Sequence, residues 1–328
     1  MIKSFFKIIV VIGIVIIIAC APDAPHDNPL DPAVNFESLR KIIRGQVLQK
    51  NAPHFPLPDC LVFLKPGQEY AHSDANGLFT FSLTQPGMHS ITCSKNGYDS
   101  LRISINADSL GDDIFRIYLN GKPIVVSVKL YSEYIDQWWP DPVAFLNAEL
   151  IADDPDGVND LSDLYLTIGA DSSEYKFSHT ARPDSFYLRI EQLGLPGQNI
   201  VSLVGENIYV HLQDSSGSHI RNGPQQLVRV MDESPLPVSP TGLEITAPRP
   251  TFNWQSYFAA FPFTFEISVF HVSAGIPMRI FYRRSLAPEL TQFAFPDSLS
   301  SGTYFWTVGV RDQFQDLIRS KEASFIVP

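Results

Sequence analysis

The sequence has few of the groups that carry enzyme chemistry. Its 328 residues include three cysteines, four methionines and eight histidines. No two histidines have the spacing of a helical metal site, and the HExxH, CxxC, GxSxG, GxGxxG and P-loop patterns do not occur. These absences argue against a zinc enzyme, a hydrolase with a nucleophile elbow and a nucleotide-binding enzyme. We therefore expect a protein that is not an enzyme and that needs no cofactor. A bound calcium ion is the one exception that the sequence allows.

Positive charge and long apolar runs are also scarce. The chain has 24 lysines and arginines against 35 acidic residues, a net charge of −11. Such a chain is repelled by phosphate backbones, so we expect no nucleic-acid partner. The longest charge-free apolar run, residues 8–19, is shorter than the roughly 20 residues that span a bilayer.

The N-terminus has the pattern of a secretion signal. Lys3 and Lys7 precede the apolar run at 8–19, which suits the central region of a signal peptide. The run ends in an aliphatic residue, Ala19 and then Cys20. This resembles the lipobox of bacterial lipoproteins, which implies cleavage after Ala19 and acylation of Cys20 with palmitate-type chains. The alternatives are a plain signal peptide with a chance cysteine, or an uncleaved anchor.

The lipoprotein resemblance also implies a location. Cys20 is followed by Ala21, whereas proteobacterial sorting uses an aspartate there for retention in the inner membrane. We therefore expect a chain anchored in the outer membrane by its acyl chains, facing either the periplasm or the outside. Loss of Lys3 and Lys7 with the signal peptide takes the net charge from −11 to −13. Anionic lipid therefore does not attract the mature chain to the membrane.

The sequence that follows the signal peptide predicts an all-β protein. Frequent proline and glycine breaks between alternating aromatic and β-branched stretches are typical of many short strands. We predict three tandem β-sandwich domains after a proline-stiffened tether. The predicted segments are a signal peptide at 1–19, a lipidated cysteine and tether at 20–41, and sandwiches at 42–121, 122–232 and 233–328.

The first predicted sandwich resembles the carboxypeptidase regulatory-like domain, a prealbumin-type fold. The resemblance implies a non-catalytic β-module rather than peptidase activity. His89 stands where that family usually has tyrosine. The matching positions are Gly45, Val47, Pro58, Val62, Asp74, Gly77, Phe79, Gly87, Ile91, Gly97 and Tyr98.

The second and third predicted sandwiches resemble other modules. Residues 122–232 resemble the immunoglobulin-like modules of bacterial surface proteins, in which Asp-Pro-Asp-Gly precedes a strand. Residues 233–328 resemble fibronectin type III. Trp254 and Trp306 are predicted core residues there, and Tyr304 stands in the tyrosine-corner position.

An acidic loop is the densest cluster of candidate ligands. Five of its side chains offer oxygen, and Gly157 allows a sharp turn, so the loop is a candidate Ca²⁺ site. The alternative is a solvated loop whose side chains cap turns. The candidate ligands are Asp153, Asp154, Asp156, Asn159 and Asp160.

Two adjacent tryptophans and two cysteines complete the candidates. Neighbours on a strand point to opposite faces, so we expect one of Trp138 and Trp139 in the core and the other exposed as a ligand contact. Cys60 and Cys93 alternate with apolar neighbours and both point into the first core. They form either a disulfide or two free thiols packed as small hydrophobes.

Two functions remain open for the mature chain. The first is an interaction or structural module that binds a protein partner at the envelope. The second is a carbohydrate-binding accessory lipoprotein of a polysaccharide uptake or surface system.

Overall fold

A computed structural model describes residues 41–111, 113–170 and 173–328. The predicted all-β fold is confirmed, because the described residues form 24 strands and only isolated 3₁₀ turns. The chain divides into two compact units. The 3₁₀ turns are Val158–Asp160, Gln192–Gly194, Pro196–Gln198 and Ile200–Leu203.

The first unit comprises the described residues up to 48 together with 56–95 and 100–117. Its strands form a three-stranded sheet in the order β4-β1-β7 and a four-stranded sheet in the order β3-β2-β5-β6. The strands are β1 (Lys41–Gln49), β2 (Leu61–Lys65), β3 (Glu69–His72), β4 (Leu78–Leu83), β5 (Met88–Ser94), β6 (Leu101–Asn106) and β7 (Phe115–Leu119).

Both sheets of the first unit bury one face, as alternating sequences require. Burial alternates along β4 and β5, and Phe79, Phe81 and Ile91 lie in the core. Gly77 has a φ of +73°, and a Cβ on it would lie 2.3 Å from the Val47 carbonyl oxygen. Glycine is therefore needed in this turn for two reasons, a positive φ and a close backbone approach.

The second unit comprises residues 49–55, 96–99 and 118–328. Its largest sheet has ten strands, with a path ordered β12-β13-β9-β8-β23-β22-β19-β20; β24 pairs with β22, and β17 pairs with β24. These strands are β8 (Ile124–Ile135), β9 (Val143–Asp153), β12 (Ser178–His179), β13 (Ser185–Glu191), β17 (Glu244–Ile245), β19 (Phe263–Ser273), β20 (Ile276–Leu286), β22 (Gly302–Asp312), β23 (Leu317–Arg319) and β24 (Ala323–Val327).

Two smaller sheets complete the second unit. One has the order β11-β10-β14-β15 and the other the order β16-β18-β21. Their strands are β10 (Leu161–Ile168), β11 (Tyr175–Lys176), β14 (Ile208–Asp214), β15 (His219–Gln225), β16 (Pro237–Ser239), β18 (Thr251–Trp254) and β21 (Gln292–Ala294).

One continuous sheet runs through the second and third predicted sandwiches. Strand β23 pairs in parallel with β8, and Ile318 is the register partner of Tyr134. Each region keeps its own buried core, one around Leu146 and Leu166 and another around Trp306. The two regions therefore share backbone hydrogen bonds within one compact unit.

The predicted core of the third sandwich is confirmed. Trp254 and Trp306 are both buried, and the Trp306 indole donates a 2.8 Å hydrogen bond to the Pro240 carbonyl oxygen. The Tyr304 hydroxyl donates to the Ser300 carbonyl oxygen at 2.8 Å. This backward bond is the tyrosine corner that the sequence predicted.

Three turns between consecutive strands use the same aspartate arrangement. Asp74, Asp214 and Asp312 each accept, on Oδ1, the backbone N–H groups two and four residues later, at 2.8–3.0 Å. Each turn needs a positive φ three residues after the aspartate. Those residues are Gly77 (+73°), Gly217 (+88°) and Gln315 (+79°).

Candidate functional site

Both adjacent tryptophans lie on the surface of the second unit. Strand β8 ends at Ile135 and β9 begins at Val143, so the pair falls in the connecting loop. Trp138 is 70 % exposed and Trp139 is 87 % exposed. The expectation that one of them is a core residue was wrong, because strand alternation does not apply beyond the end of β8.

Trp138 is held in place although it is exposed. Its indole N–H donates to the Glu322 carbonyl oxygen at 2.9 Å, and its backbone N–H donates to Glu322 Oε2 at 3.1 Å. The Lys321 ammonium lies 4.3 Å from the centroid of the ring. These side-chain and backbone contacts thus fix the position of the Trp138 indole.

A cavity of about 580 Å³ lies beside Trp138, and we call it the tryptophan cavity. Its walls combine apolar surface with carboxylates and hydroxyls. The Lys321 ammonium lies 3.9 Å from Asp136, and Arg319 pairs with Glu322 at 3.0 Å. The lining includes Asp136, Trp138, Leu236, Thr241, Lys321 and Glu322.

The acidic loop brings three of its five predicted ligands together. One carboxylate oxygen from each of Asp154, Asp156 and Asp160 lies within 4.8 Å of the others. Asp153 and Asn159 are exposed, and the Asp153 carboxylate does not belong to this group. The loop begins at the end of β9 and runs through the Val158–Asp160 turn into β10, which turns the three carboxylates inward.

The electrostatics of this group are unfavourable for carboxylates alone. Burial raises the pKa of Asp154 to about 7, with further contributions from the negative charges of Asp156, Asp160 and Asp214. Burial also raises the pKa of Asp156, although the Gly121 amide donates a hydrogen bond to it. The site therefore disfavours the charged forms of Asp154 and Asp156.

A histidine pair on the second unit was not predicted from the sequence. His211 Nδ1 lies 3.1 Å from His219 Nε2, and the Tyr165 ring stacks on His211 with centroids 4.5 Å apart. Burial, followed by the charges of His219 and Arg221, lowers the pKa of His211. The cluster depends on cross-strand register, since Tyr165 of β10 is opposite His211 of β14.

Cys60 and Cys93 are buried free thiols in the first unit. The structure thus has the second of the two predicted alternatives. Val62 is the register partner of Cys93, so Cys60 occupies a diagonal position at roughly 7–8 Å. Disulfides need Cα atoms within about 7 Å, and a diagonal position is less suited to a bridge than a directly opposite one.

The predicted lipid anchor lies outside the described residues, because they begin at 41 and Cys20 precedes them. Among the residues that the structure does describe, no helix is long and apolar enough to span a membrane.

Comparison with known proteins finds no matching family model and no matching curated protein. Solved structures that share β-sandwich modules do match. The fibronectin(III)-like modules of CbhA from Clostridium thermocellum are 12 % identical, with a TM-score of 0.27, over 62 % of this chain and 92 % of that one. A putative carbohydrate binding protein from Bacteroides uniformis is 12 % identical, with a TM-score of 0.23, over 57 % and 93 %.

The FN1–FN3 domains of chicken CNTN1 are 8 % identical, with a TM-score of 0.33, over 87 % of this chain and 97 % of that one. Likenesses this distant carry no argument about ligand or mechanism. The functional argument therefore rests on the geometry of the second unit.

Proposed function

We propose that this chain is a non-catalytic binding protein of the bacterial envelope whose tryptophan cavity binds a carbohydrate. The observation that carries the proposal is a pair of exposed tryptophans, one of them rigidly held beside a cavity whose walls are both apolar and polar. The lipobox at Cys20 supports attachment to the outer membrane. A protein held there and exposing such a surface is placed to meet cell-surface or imported polysaccharide.

The chemistry of the cavity matches the two kinds of surface that a sugar ring offers. A pyranose face presents polarised C–H groups, which the negative face of an indole ring attracts. The ring edge presents hydroxyls, which carboxylates and backbone groups bind. Trp138 supplies the aromatic surface in the lining, and Asp136 and Glu322 supply acceptors. Trp139, the next residue in the loop, adds an exposed ring beside it.

The charges around the cavity favour a neutral sugar. Lys321 lies near Asp136, and Arg319 pairs with Glu322, so each acid in the lining has a basic neighbour. A charged ligand would gain little net attraction from such a balanced set. Neutral hexose polymers are therefore the expected ligands, rather than uronic-acid polymers.

A binding experiment with single substitutions tests this proposal. The full chain, purified in a detergent without a sugar headgroup, is applied to a glycan array, and hits are measured by calorimetry. Trp139→Ala should weaken binding roughly tenfold, because a stacked aromatic contributes about 0.5–1.5 kcal/mol beyond its buried area. Its melting temperature should not change, because the side chain is 87 % exposed.

Phe258→Ala is the matched control. Phe258 is also 87 % exposed on the second unit, but it lines a different cavity, whereas Trp139 is the chain neighbour of Trp138 in the tryptophan cavity. Its substitution should leave glycan affinity unchanged. Equal losses in both variants, or no neutral glycan bound by the wild-type chain, would contradict the carbohydrate proposal.

A second candidate, a protein partner, is favoured by the edge of the ten-stranded sheet. Strand β20 ends the strand order and exposes Ile276, Met278 and Ile280 at alternate positions. An edge strand offers unpaired backbone groups to an incoming strand, and exposed apolar side chains mark contact surfaces. Arg279, between them, favours an acidic partner segment.

Site-specific photocrosslinking in cells tests this candidate. A photoreactive residue in place of Met278 should capture a discrete partner, and adding Ile280→Lys should abolish the adduct by placing a charge on the apolar row. The same photoreactive residue in place of Phe258 is the control. An adduct that persists with Ile280→Lys would count against an edge-strand partner.

A further inference from the structure

The second unit contains buried carboxylate oxygens that have no partner. Asp154 is 3 % exposed and Asp160 is 6 % exposed. One oxygen of each, and Oδ1 of Asp156, is shielded from solvent without a hydrogen-bond partner among the described residues. A buried, unpaired carboxylate oxygen is costly, so a group of three points to a role as ligands of a cation.

We propose that Asp154, Asp156 and Asp160 bind a calcium ion. Oxygens that ligate one Ca²⁺ at 2.3–2.6 Å lie at most about 5 Å from one another. The three carboxylates meet this condition, because one oxygen from each lies within 4.8 Å of the others. The cation would also relieve the mutual repulsion of the three acids.

The ligand set selects calcium over other divalent ions. The group contains only carboxylates, with neither histidine nor cysteine in it, which disfavours zinc and copper. Magnesium demands a near-ideal octahedron and keeps several waters, whereas calcium tolerates irregular oxygen sites. A loop that buries its carboxylates in a folded protein fits the more tolerant ion.

Surrounding contacts hold the carboxylates in a prepared position. The Asp156 amide donates to Asp154 Oδ1 at 2.7 Å, and the Gly121 amide donates to Asp156 Oδ2 at 2.7 Å. The Asp160 carbonyl oxygen accepts from the Ser215 amide at 2.8 Å. A Cβ on Gly121 would lie 2.9 Å from the Pro155 ring, so glycine allows this close approach.

Asp214, a buried aspartate near the acidic loop, has hydrogen-bond partners on its carboxylate oxygens. Asp214, which is also buried, accepts the Ser216 and Ser218 amides on Oδ1 and the Asn120 side-chain amide on Oδ2. Both of its oxygens are therefore paired. The contrast with the acidic loop supports a ligand role for Asp154, Asp156 and Asp160.

Cation binding at this site would connect three segments of the second unit. They are the residues around Gly121 before β8, the loop at 153–160, and the turn at 214–218 between β14 and β15. Because the ion binds only the folded arrangement, calcium should stabilise the unit against unfolding. The site goes beyond the carbohydrate proposal and does not depend on it.

Calcium titration of the full chain tests the site. The chelator-treated protein, in detergent, is melted with increasing CaCl₂ up to about 10 mM, above the Kd range of ~0.1–1 mM for extracellular modules. Tryptophan fluorescence follows the second unit, because all four tryptophans belong to it. The melting temperature should rise by about 5–10 °C at a calcium concentration a hundred times Kd.

Variants separate a specific site from general ionic effects. Asp154→Asn and Asp160→Asn should each abolish the calcium-dependent rise and the heat of binding in calorimetry. Asp153→Asn is the matched control, because Asp153 belongs to the same loop but is exposed and outside the group; it should keep the full rise. MgCl₂ at the same concentration should raise the melting temperature of the wild-type chain by less than half as much as CaCl₂.

Two results would overturn the proposal. One is the absence of any calcium-dependent rise in the wild-type chain, which decides the matter even if a variant fails to fold. The other is an equal rise in Asp154→Asn, Asp160→Asn and Asp153→Asn. Neither result affects glycan binding at the tryptophan cavity, so the two proposals fail separately.

Discussion

Asp316 is a fully buried acid where the two sandwich regions of the second unit share a sheet. It is 0 % exposed and directly precedes β23. Its Oδ1 accepts from the Ser132 amide at 2.6 Å and from the Ser132 hydroxyl at 2.8 Å, whereas Oδ2 has no partner among the described residues. Burial raises the pKa of Asp316 to about 6, although these bonds and Arg229 oppose the rise.

The sign of the pH dependence follows from this raised pKa. The unfolded chain releases the Asp316 proton near its ordinary pKa of 3.8, whereas the folded chain releases it only near 6. Between those values the folded state binds more protons, so the contribution of Asp316 to stability falls as pH rises. Each pKa unit corresponds to about 1.4 kcal/mol, so the cost above pH 6 is roughly 3 kcal/mol.

Asp316→Asn should remove that cost while keeping an oxygen for Ser132. The free energy of unfolding should differ little from wild type at about pH 4, and should exceed it by up to ~3 kcal/mol at about pH 7. The value is an upper bound, because the new amide places a donor where Oδ2 had no partner. Asp316→Ala should destabilise at every pH, since it leaves the Ser132 donors unpaired.

Urea unfolding followed by tryptophan fluorescence measures this difference at several pH values. The fluorescence signal belongs to the second unit alone, because all four tryptophans lie there. Asp141→Asn, a substitution at an exposed position, is the control and should have little effect on the free energy of unfolding. A difference between Asp316→Asn and wild type that stays constant from pH 4 to pH 7 would refute the reasoning.

Three further outcomes are expected. Trp306→Ala should lower the free energy of unfolding of the second unit by roughly 3–5 kcal/mol, because Trp306 is fully buried and hydrogen-bonded to the Pro240 carbonyl oxygen. Calorimetry measures this loss, and a value below about 1 kcal/mol would contradict the core role of Trp306. Cys60 and Cys93 should both be alkylated after denaturation without reductant, because they are free thiols. In the native state both should react slowly, because burial raises the pKa of Cys93 to about 12 and also raises the pKa of Cys60. Cys20→Ser should abolish incorporation of an alkyne fatty acid, and continued acylation would rule out the lipobox.

Local patterns predicted many of the strands well. The alternating stretches that become β4, β9, β19 and β22 appear in the sequence with the period of a half-buried strand, and burial alternates in this way along β4. In β9, β19 and β22 the apolar positions are buried as that period predicts, but Asn147, Glu266 and Thr307 between them are buried as well. The Tyr304 hydrogen bond was likewise predictable, because it closes within four residues. Interactions of this kind involve neighbours in sequence.

Predictions for the tryptophans and the cysteines depended on where strands end and how they align. Alternation placed one of Trp138 and Trp139 in the core, but β8 ends before both of them. Alternation also placed Cys60 and Cys93 on one core face, which is correct, yet register makes them diagonal rather than opposite. Strand ends and register are set by packing across the sheet, which a single strand does not encode.

The sequence by itself determined the all-β class, the inward-facing residues of the main strands and the acidic character of the 153–160 loop. Each of these follows from local composition and a period of two, since a strand with one buried face must alternate. Only the tertiary structure decided which acids of that loop meet, that β23 joins β8, and that Lys321 and Glu322 hold Trp138. These features join residues distant in sequence, and their geometry exists only after the chain has paid the entropy of closing long loops.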